Sequence, residues 1–202
     1  MNLPTGPFGA VIADPPWQYK DSGKATSTLI RTVKADGDLA TGVNDLTYPT
    51  MSTPEICALD VNGITDDNAV LFLWVTNPFL PDGFQVMRAW GFDYVTCITW
   101  GKVKKKRADD FEASMKVGWW FRSASEHVLF GVKRGAKRPG GWPAIPTLAL
   151  HERLPHSTKP DFVHEMVEHL LLPTRRLEMF ARRQRDGWET WGNQVAAMEL
   201  AR

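Results

Sequence analysis

Short apolar runs alternate with helix-patterned segments along this chain of 202 residues, and that alternation leaves it few folds to choose from. The runs lie at residues 8–13, 69–75, 94–100, 127–132 and 176–181. Several are apolar without a polar residue at every second position. Strands covered on both faces of a parallel sheet have this pattern, because neither face meets water. Helical segments are expected at residues 53–59, 79–90 and 161–172. In the first, Thr53 offers a cap and Pro54 suits the opening turn. In the last, Phe162, Met166, Val167 and Leu170 recur at helical spacing behind Pro160. Strands joined through helices need crossover connections. The expected fold is α/β: a mostly parallel central sheet with helices on both faces. The length suits one core rather than two, so a single domain over residues 1–202 is expected.

Composition removes several classes. Hydrophobic residues make up 43% and charged residues 23%, the balance of a soluble globular protein. No stretch of eighteen apolar residues is present, so no membrane span is expected. Residues 1–7 lack a basic segment followed by an apolar one, so a secretory signal is not expected and the expected compartment is the cytoplasm. Cys57 and Cys97 sit inside apolar stretches and read as buried, reduced thiols. No Cys/His cluster has zinc-ligand spacing, so no metal is expected. The net charge of +1 argues against a nucleic-acid binder held by overall charge. Any such contact must come from local patches.

Three segments resist assignment to helix or strand and read as long loops: residues 18–47, 102–120 and 134–155. Loops of this length in a compact domain are usually functional or disordered. Two of them are basic. Lys102, Lys104, Lys105, Lys106 and Arg107 form one cluster; Lys133, Arg134, Lys137 and Arg138 form another. Between them lies Gly118-Trp119-Trp120-Phe121-Arg122. Cations interleaved with aromatic rings suit phosphate contact and base stacking. Lys104, Lys105, Lys106, Arg107, Lys137 and Arg138 are therefore the candidate nucleic-acid contacts, and Tyr19 is a further aromatic candidate.

The most chemically pointed motif is Asp14-Pro15-Pro16-Trp17, directly after the first apolar run. Ligands of open parallel sheets bind at the carboxyl ends of the strands. The two prolines fix φ and remove two backbone donors, which frees the Pro15 carbonyl to accept. Asp14 supplies a second acceptor. An aromatic amine such as that of adenine has two N–H donors and a lone pair delocalised into its ring. Two acceptors held beside it orient the amine and turn its lone pair toward an electrophile. Trp17 is a candidate stacking partner for a base taken out of its duplex.

Asp14-Pro15-Pro16-Trp17 after a first strand resembles the signature of the MT-A70 family of adenine-N(6) methyltransferases. Further landmarks agree in order. Tyr48-Pro49-Thr50-Met51-Ser52 resembles the segment closing that family's first active-site loop, and Leu71-Phe72-Leu73-Trp74 its second strand. His156-Ser157-Thr158-Lys159-Pro160-Asp161 resembles its HSxKPD box. Arg176-Leu177-Glu178-Met179-Phe180-Ala181-Arg182 resembles its late cofactor strand. The pair Gly187-Trp188 with Trp191-Gly192-Asn193-Gln194 resembles its terminal box.

The resemblance implies a permuted Rossmann-like methyltransferase fold, catalytic strand first and cofactor strand last, with S-adenosylmethionine as cofactor. No glycine-rich GxGxxG loop is present to bind it. Carried over, Asp14, Pro15, Pro16 and Trp17 are catalytic, with Asp14 also near the cofactor. Lys159 holds the cofactor carboxylate, Arg182 and Glu178 lie at its ribose, and Phe180, Asn193 and Gln194 complete the pocket. The implied reaction is methylation of the 6-amino group of adenine, in DNA ahead of RNA. The implied assembly is a monomer or homodimer, with an accessory subunit as a further option. Two other readings stay open: a catalytically silent nucleic-acid-binding subunit, and methylation of another amine such as a protein glutamine.

Overall fold

A computed structural model describes residues 2–19, 32–33, 39–40, 49–107, 110–115, 120–138, 142–154, 158–170 and 174–193. The strands are β1 (Phe8–Ala13), β2 (Thr32–Val33), β3 (Leu39–Ala40), β4 (Thr65–Val75), β5 (Phe92–Arg107), β6 (Asp110–Ala113), β7 (Ser125–Lys133), β8 (Leu148–Glu152), β9 (Arg176–Met179) and β10 (Glu189–Trp191). The α-helices are α1 (Thr53–Cys57), α2 (Leu80–Ala89) and α3 (Phe162–Leu170). Eight strands form one sheet in the order β10-β9-β1-β4-β7-β5-β6, with β8 also paired to β5. β1, β4, β5, β8, β9 and β10 run one way, and β6 and β7 run against them. The mostly parallel sheet is thus borne out, with its reversed strand β7 between β4 and β5.

Both faces are covered, which explains the unbroken apolar runs. In β4, Leu71, Leu73 and Val75 meet Ile56 of α1 and Val86 and Met87 of α2. Val70, Phe72 and Trp74 point to the other face, where Val163 and Val167 of α3 cover them. β1 divides in the same way, after a register shift between Phe8 and Ala10. Phe8, Val11 and Ala13 fall on the α1/α2 face, and Ala10 and Ile12 on the α3 face.

The local readings need four corrections. Ser52, not Thr53, caps α1: its amide and hydroxyl both donate to Glu55 at 2.7 Å, a capping box. Thr53 instead donates to Asp82 at 2.6 Å and ties α1 to α2. The charged stretch from Lys102 is not a loop. β5 continues through it to Arg107 because β6 and β8 supply backbone partners that residue types do not announce. Within residues 134–155, Leu148–Glu152 is the strand β8. The thiols of Cys57 and Cys97 are free but only half-buried.

Candidate active site

Parallel register brings four strand ends into one row. Ala13 of β1 lies beside Leu73 of β4 and Met179 of β9, and Met179 lies beside Trp191 of β10. The residues that follow these ends, Asp14, Thr76, Phe180 and Gly192, therefore converge at one edge, where an open sheet places its ligand. Phe180 holds a φ of 63° and packs edge-on against Trp191 at 5.3 Å. Positive φ is uncommon outside glycine and concentrates at functional sites. Gly192 has a steric reason: a Cβ there would stand 2.4 Å from the Ala181 carbonyl oxygen. This close approach lets the Ala181 amide bond the Trp191 carbonyl at 3.0 Å and sets Asn193, exposed, beside the turn after β9.

The Pro-Pro turn is knitted into its surroundings. The Trp17 amide donates to the Pro15 carbonyl at 2.8 Å, so that acceptor is not wholly spare, as the sequence suggests. The Met51 amide donates to Pro16 and the Gln18 amide to Met51, which anchors the motif to the segment before α1. Trp17 is 6% exposed. Its indole N–H donates to the Trp74 carbonyl at 3.2 Å and its ring stacks on Phe79 at 5.2 Å. The expectation of Trp17 as an open stacking face is corrected: the ring is committed to the core. Tyr19 is the accessible aromatic here. It is half-exposed, edge-on to Phe79 at 4.7 Å, with its hydroxyl 2.8 Å from that of Thr76.

Charge is organised as an alternating chain. Lys159 Nζ donates to both carboxylate oxygens of Asp14, at 2.8 and 2.7 Å. It also stands 3.5 Å from Glu126 Oε2, and Glu126 is in turn ion-paired with Lys102. All four are substantially withdrawn from water, Lys102 most of all. Burial pulls the Lys159 ammonium toward neutrality, but the Asp14 and Glu126 carboxylates outweigh it and hold its pKa above the ordinary lysine value. Lys102 therefore leaves the surface cluster to which its neighbours assign it. Neither Lys102 nor Glu126 carries a sequence signal for this site; both are placed by strand register, Trp100 beside Glu126 and Gly101 beside Ser125.

On β9 the side chains alternate. Leu177 and Met179 enter the α1/α2 core, and Glu178 meets His164 of α3, with 3.1 Å between Oε2 and Nε2. Arg182 is half-buried in the turn after Phe180. Gln194, His156, Ser157 and Trp119 lie outside the described residues.

The basic residues separate. β5 runs with β1, so Lys104, Lys105, Lys106 and Arg107 extend from the sheet at the Asp14 edge. Lys104 is exposed; the side chains of the other three are outside the described set. Trp120 and Phe121, 87% and 90% exposed, precede β7 at this same edge. Lys137 and Arg138 follow β7 to the opposite edge, because β7 runs backwards. There they border a cavity of about 660 Å³ between the sheet and α3, lined by Val70, Phe72, Phe130, Trp142 and Met166. The structure does not bring the two basic clusters together.

Comparison with known proteins agrees in extent. The model of the MT-A70 family matches residues 8–194. A relative from Mycoplasma sp named Type II methyltransferase M.MunI is 28% identical over 197 residues, covering 96% of this chain and 80% of that protein. The N(6)-adenosine-methyltransferase catalytic subunit METTL3 of Homo sapiens is 29% identical over 197 residues, and the METTL3 subunit of Danio rerio is 30% identical over 200. Each covers 96% of this chain, and the chain spans only 29% of either of them. With its family model matched from the first strand to the residue after Asn193, the chain belongs to the MT-A70 family.

Proposed function

We propose that this protein transfers the methyl group of S-adenosylmethionine to the 6-amino group of adenine in a nucleic acid, with DNA ahead of RNA. The observation that carries the reading is the Asp14–Lys159 pair at the shared edge of β1, β4, β9 and β10. The residues there suit the cofactor. Lys159 supplies a cation for its carboxylate; Phe180 and Asn193 flank the close approach of β10 to the turn after β9 and are assigned to its adenosyl group. Arg182, Glu178 and Gln194 are assigned to the ribose and adenine, with Glu178 Oε2 standing 3.1 Å from His164 Nε2.

Bound there, S-adenosylmethionine supplies an electrophilic methyl group on a cationic sulfonium. The protein's own work is at the amine. Asp14 accepts an N–H of the adenine amine and orients its lone pair away from the ring. As the N–C bond forms, the nitrogen gains positive charge, which the carboxylate stabilises more than the neutral ground state. The carboxylate holds the amine N–H in a hydrogen bond through the transfer, and the extra proton leaves the nitrogen once the N–C bond has formed. The Pro15 and Pro16 turn fixes the carboxylate's height above the sheet end, and Trp17 braces that turn from the core. Tyr19 is the face offered to an extruded base. The basic end of β5 meets phosphates, with Trp120 and Phe121 beside it for unpaired bases.

DNA is placed ahead of RNA because the relative matched along most of its own length is named a type II methyltransferase. The N(6)-adenosine-methyltransferases are matched over less than a third of theirs. We place the protein in the cytoplasm, acting without a membrane as a monomer or homodimer. Among the described residues no helix is long and apolar enough to cross a membrane. Mass analysis of nucleosides from the DNA and RNA of expressing cells tests the reading. Methylated adenine in the DNA is expected; methylation in the RNA alone would move the substrate to RNA, and none in either would remove the assignment.

A further inference from the structure

Lys159 cannot serve two masters at full strength. In the structure it takes both oxygens of Asp14, the same carboxylate that the proposed reaction turns toward the acceptor amine. A half-buried ammonium that loses two charge-assisted hydrogen bonds needs anions in reach; the cofactor carboxylate assigned to it is one, and the protein supplies a second. Glu126 Oε2 already stands 3.5 Å away in an ion pair at the outer limit of a hydrogen bond, so Lys159 bridges the two carboxylates and can shift its weight from one to the other.

Glu126 is equipped for that role. It lies near the start of β7, locked beside Trp100 by the ladder, and its side chain is 14% exposed. Lys102 is ion-paired with its Oε1 and is itself 7% exposed, so the carboxylate is anchored through one oxygen while the other faces Lys159. The floor is aromatic. Lys102 lies over the Trp100 ring at 4.5 Å and Lys159 over the Trp74 ring at 5.3 Å, and the two indoles meet edge-on at 6.2 Å. Both ammoniums are thus held above one rigid pair of rings, and short lateral shifts between carboxylates do not return either to water.

We infer that Glu126, anchored by Lys102, is a positioning residue that takes Lys159 when Asp14 engages the acceptor amine. The inference rests on the adenine methyltransferase reading of this site. Without Glu126, only the cofactor carboxylate draws Lys159 away from Asp14, and the amine competes with the ammonium for the same two oxygens. The loss falls on the methyl-transfer step with substrates bound, not on cofactor capture, because Lys159 itself is intact.

The test is single-turnover methylation of an adenine-containing oligonucleotide at saturating S-adenosylmethionine, beside calorimetric titration of the cofactor. Wild type, E126Q and E126D are compared. E126Q should slow methyl transfer about tenfold or more, the equivalent of one charge-assisted hydrogen bond. Its cofactor dissociation constant should be unchanged or tighter, and E126D should fall between the two in rate. A merely structural role would instead degrade rate and cofactor affinity together, and that outcome overturns the inference. So does E126Q at the wild-type rate. Should E126Q not fold, E126D decides: slower transfer at unchanged cofactor affinity supports the role, and wild-type transfer removes it. A wild-type protein that methylates no adenine would instead defeat the underlying reading, which keeps the two failures apart.

Discussion

Lys159 and Asp14, 145 residues apart in the chain, meet in a two-pronged ion pair with N–O distances of 2.8 and 2.7 Å. The contact joins the end of the first strand to the segment leading into α3, from opposite ends of the chain. It neutralises a carboxylate and an ammonium that would otherwise both be stranded at the edge of an apolar sheet. It also sets the chemistry in order: substrate groups of matching charge must displace an existing pair rather than fill an empty one.

Asp14 is the first place to separate chemistry from binding. Asp14→Asn keeps the shape and one acceptor but removes the charge facing the developing cation. Turnover should fall by roughly a hundredfold or more, about 3 kcal/mol, while cofactor affinity does not weaken. Single-turnover methylation beside cofactor titration checks this; wild-type turnover in the variant would take Asp14 out of the mechanism.

Cofactor capture should depend on the other partner. Lys159→Ala and Asn193→Ala should each weaken S-adenosylmethionine binding by on the order of 1–3 kcal/mol, through loss of a charged or buried hydrogen bond. Calorimetry on each variant gives the answer, and unchanged affinity in both would move the cofactor pocket elsewhere.

Trp17 should report on stability before activity. Trp17→Ala removes a ring stacked on Phe79 and hydrogen-bonded to Trp74, and should destabilise the fold by about 3–5 kcal/mol. Trp17→Phe keeps an aromatic ring but loses the indole donor, at about 1 kcal/mol for that hydrogen bond. Urea denaturation distinguishes them. A Trp17→Ala protein as stable as wild type would mean that the ring is not committed to the core.

The basic end of β5 should act through phosphates. Replacing Lys104, Lys105, Lys106 and Arg107 together by alanine should weaken nucleic-acid binding and flatten its logarithmic salt dependence, without changing which adenine is methylated. Replacing Lys137 and Arg138, at the opposite edge, should have the smaller effect. Binding isotherms across a salt series decide, and equal slopes for wild type and the β5 variant would make the cluster a solvated strand end.

Acid should loosen the wall beside the site through His127. Asn77 Nδ2 donates to Ser123 Oγ, so its Oδ1 faces His127 Nε2 at 2.5 Å, and Nε2 carries the ring proton. Nδ1 then faces the Thr99 hydroxyl at 3.1 Å. Burial lowers the pKa of this imidazole, and the neighbouring Glu126 carboxylate offsets that only in part. The folded protein therefore binds the proton less readily than the unfolded chain, whose histidine titrates near about 6.5. Stability from the neutral ring is present above that value and is lost as the pH falls through the lower folded-state value. Melting temperature should drop from pH 7.5 to pH 5, and His127→Gln should reduce the drop. An identical drop in the variant would assign the acid sensitivity to other groups.

The chain's own pattern determined the class of fold and the address of the candidate site. Runs without polar alternation announce strands buried on both faces, and β1 falls on residues 8–13 as read. The Asp14 motif after that run marks the ligand edge, because parallel strands end together. Even the order of the landmarks, the Asp14 motif after the first strand and β9 late, is a property of sequence alone.

What only tertiary structure decided is which groups face one another. Residue types do not encode the partner of a ladder, so β5 through Lys102–Arg107 looked like a charged loop until β6 and β8 satisfied its backbone. Glu126 and Lys102 are ordinary charges in the sequence; the register of β7 on β5 turns them into neighbours of Lys159. Trp17 is conspicuous in the motif, but packing against Phe79 spends its ring on the core and leaves Tyr19 outside. The reversal of β7 parts two basic clusters that look alike in the chain and sends them to opposite edges. Local pattern is set by each residue's solvation and backbone preference, whereas these pairings depend on strand register and direction, which only the assembled sheet defines.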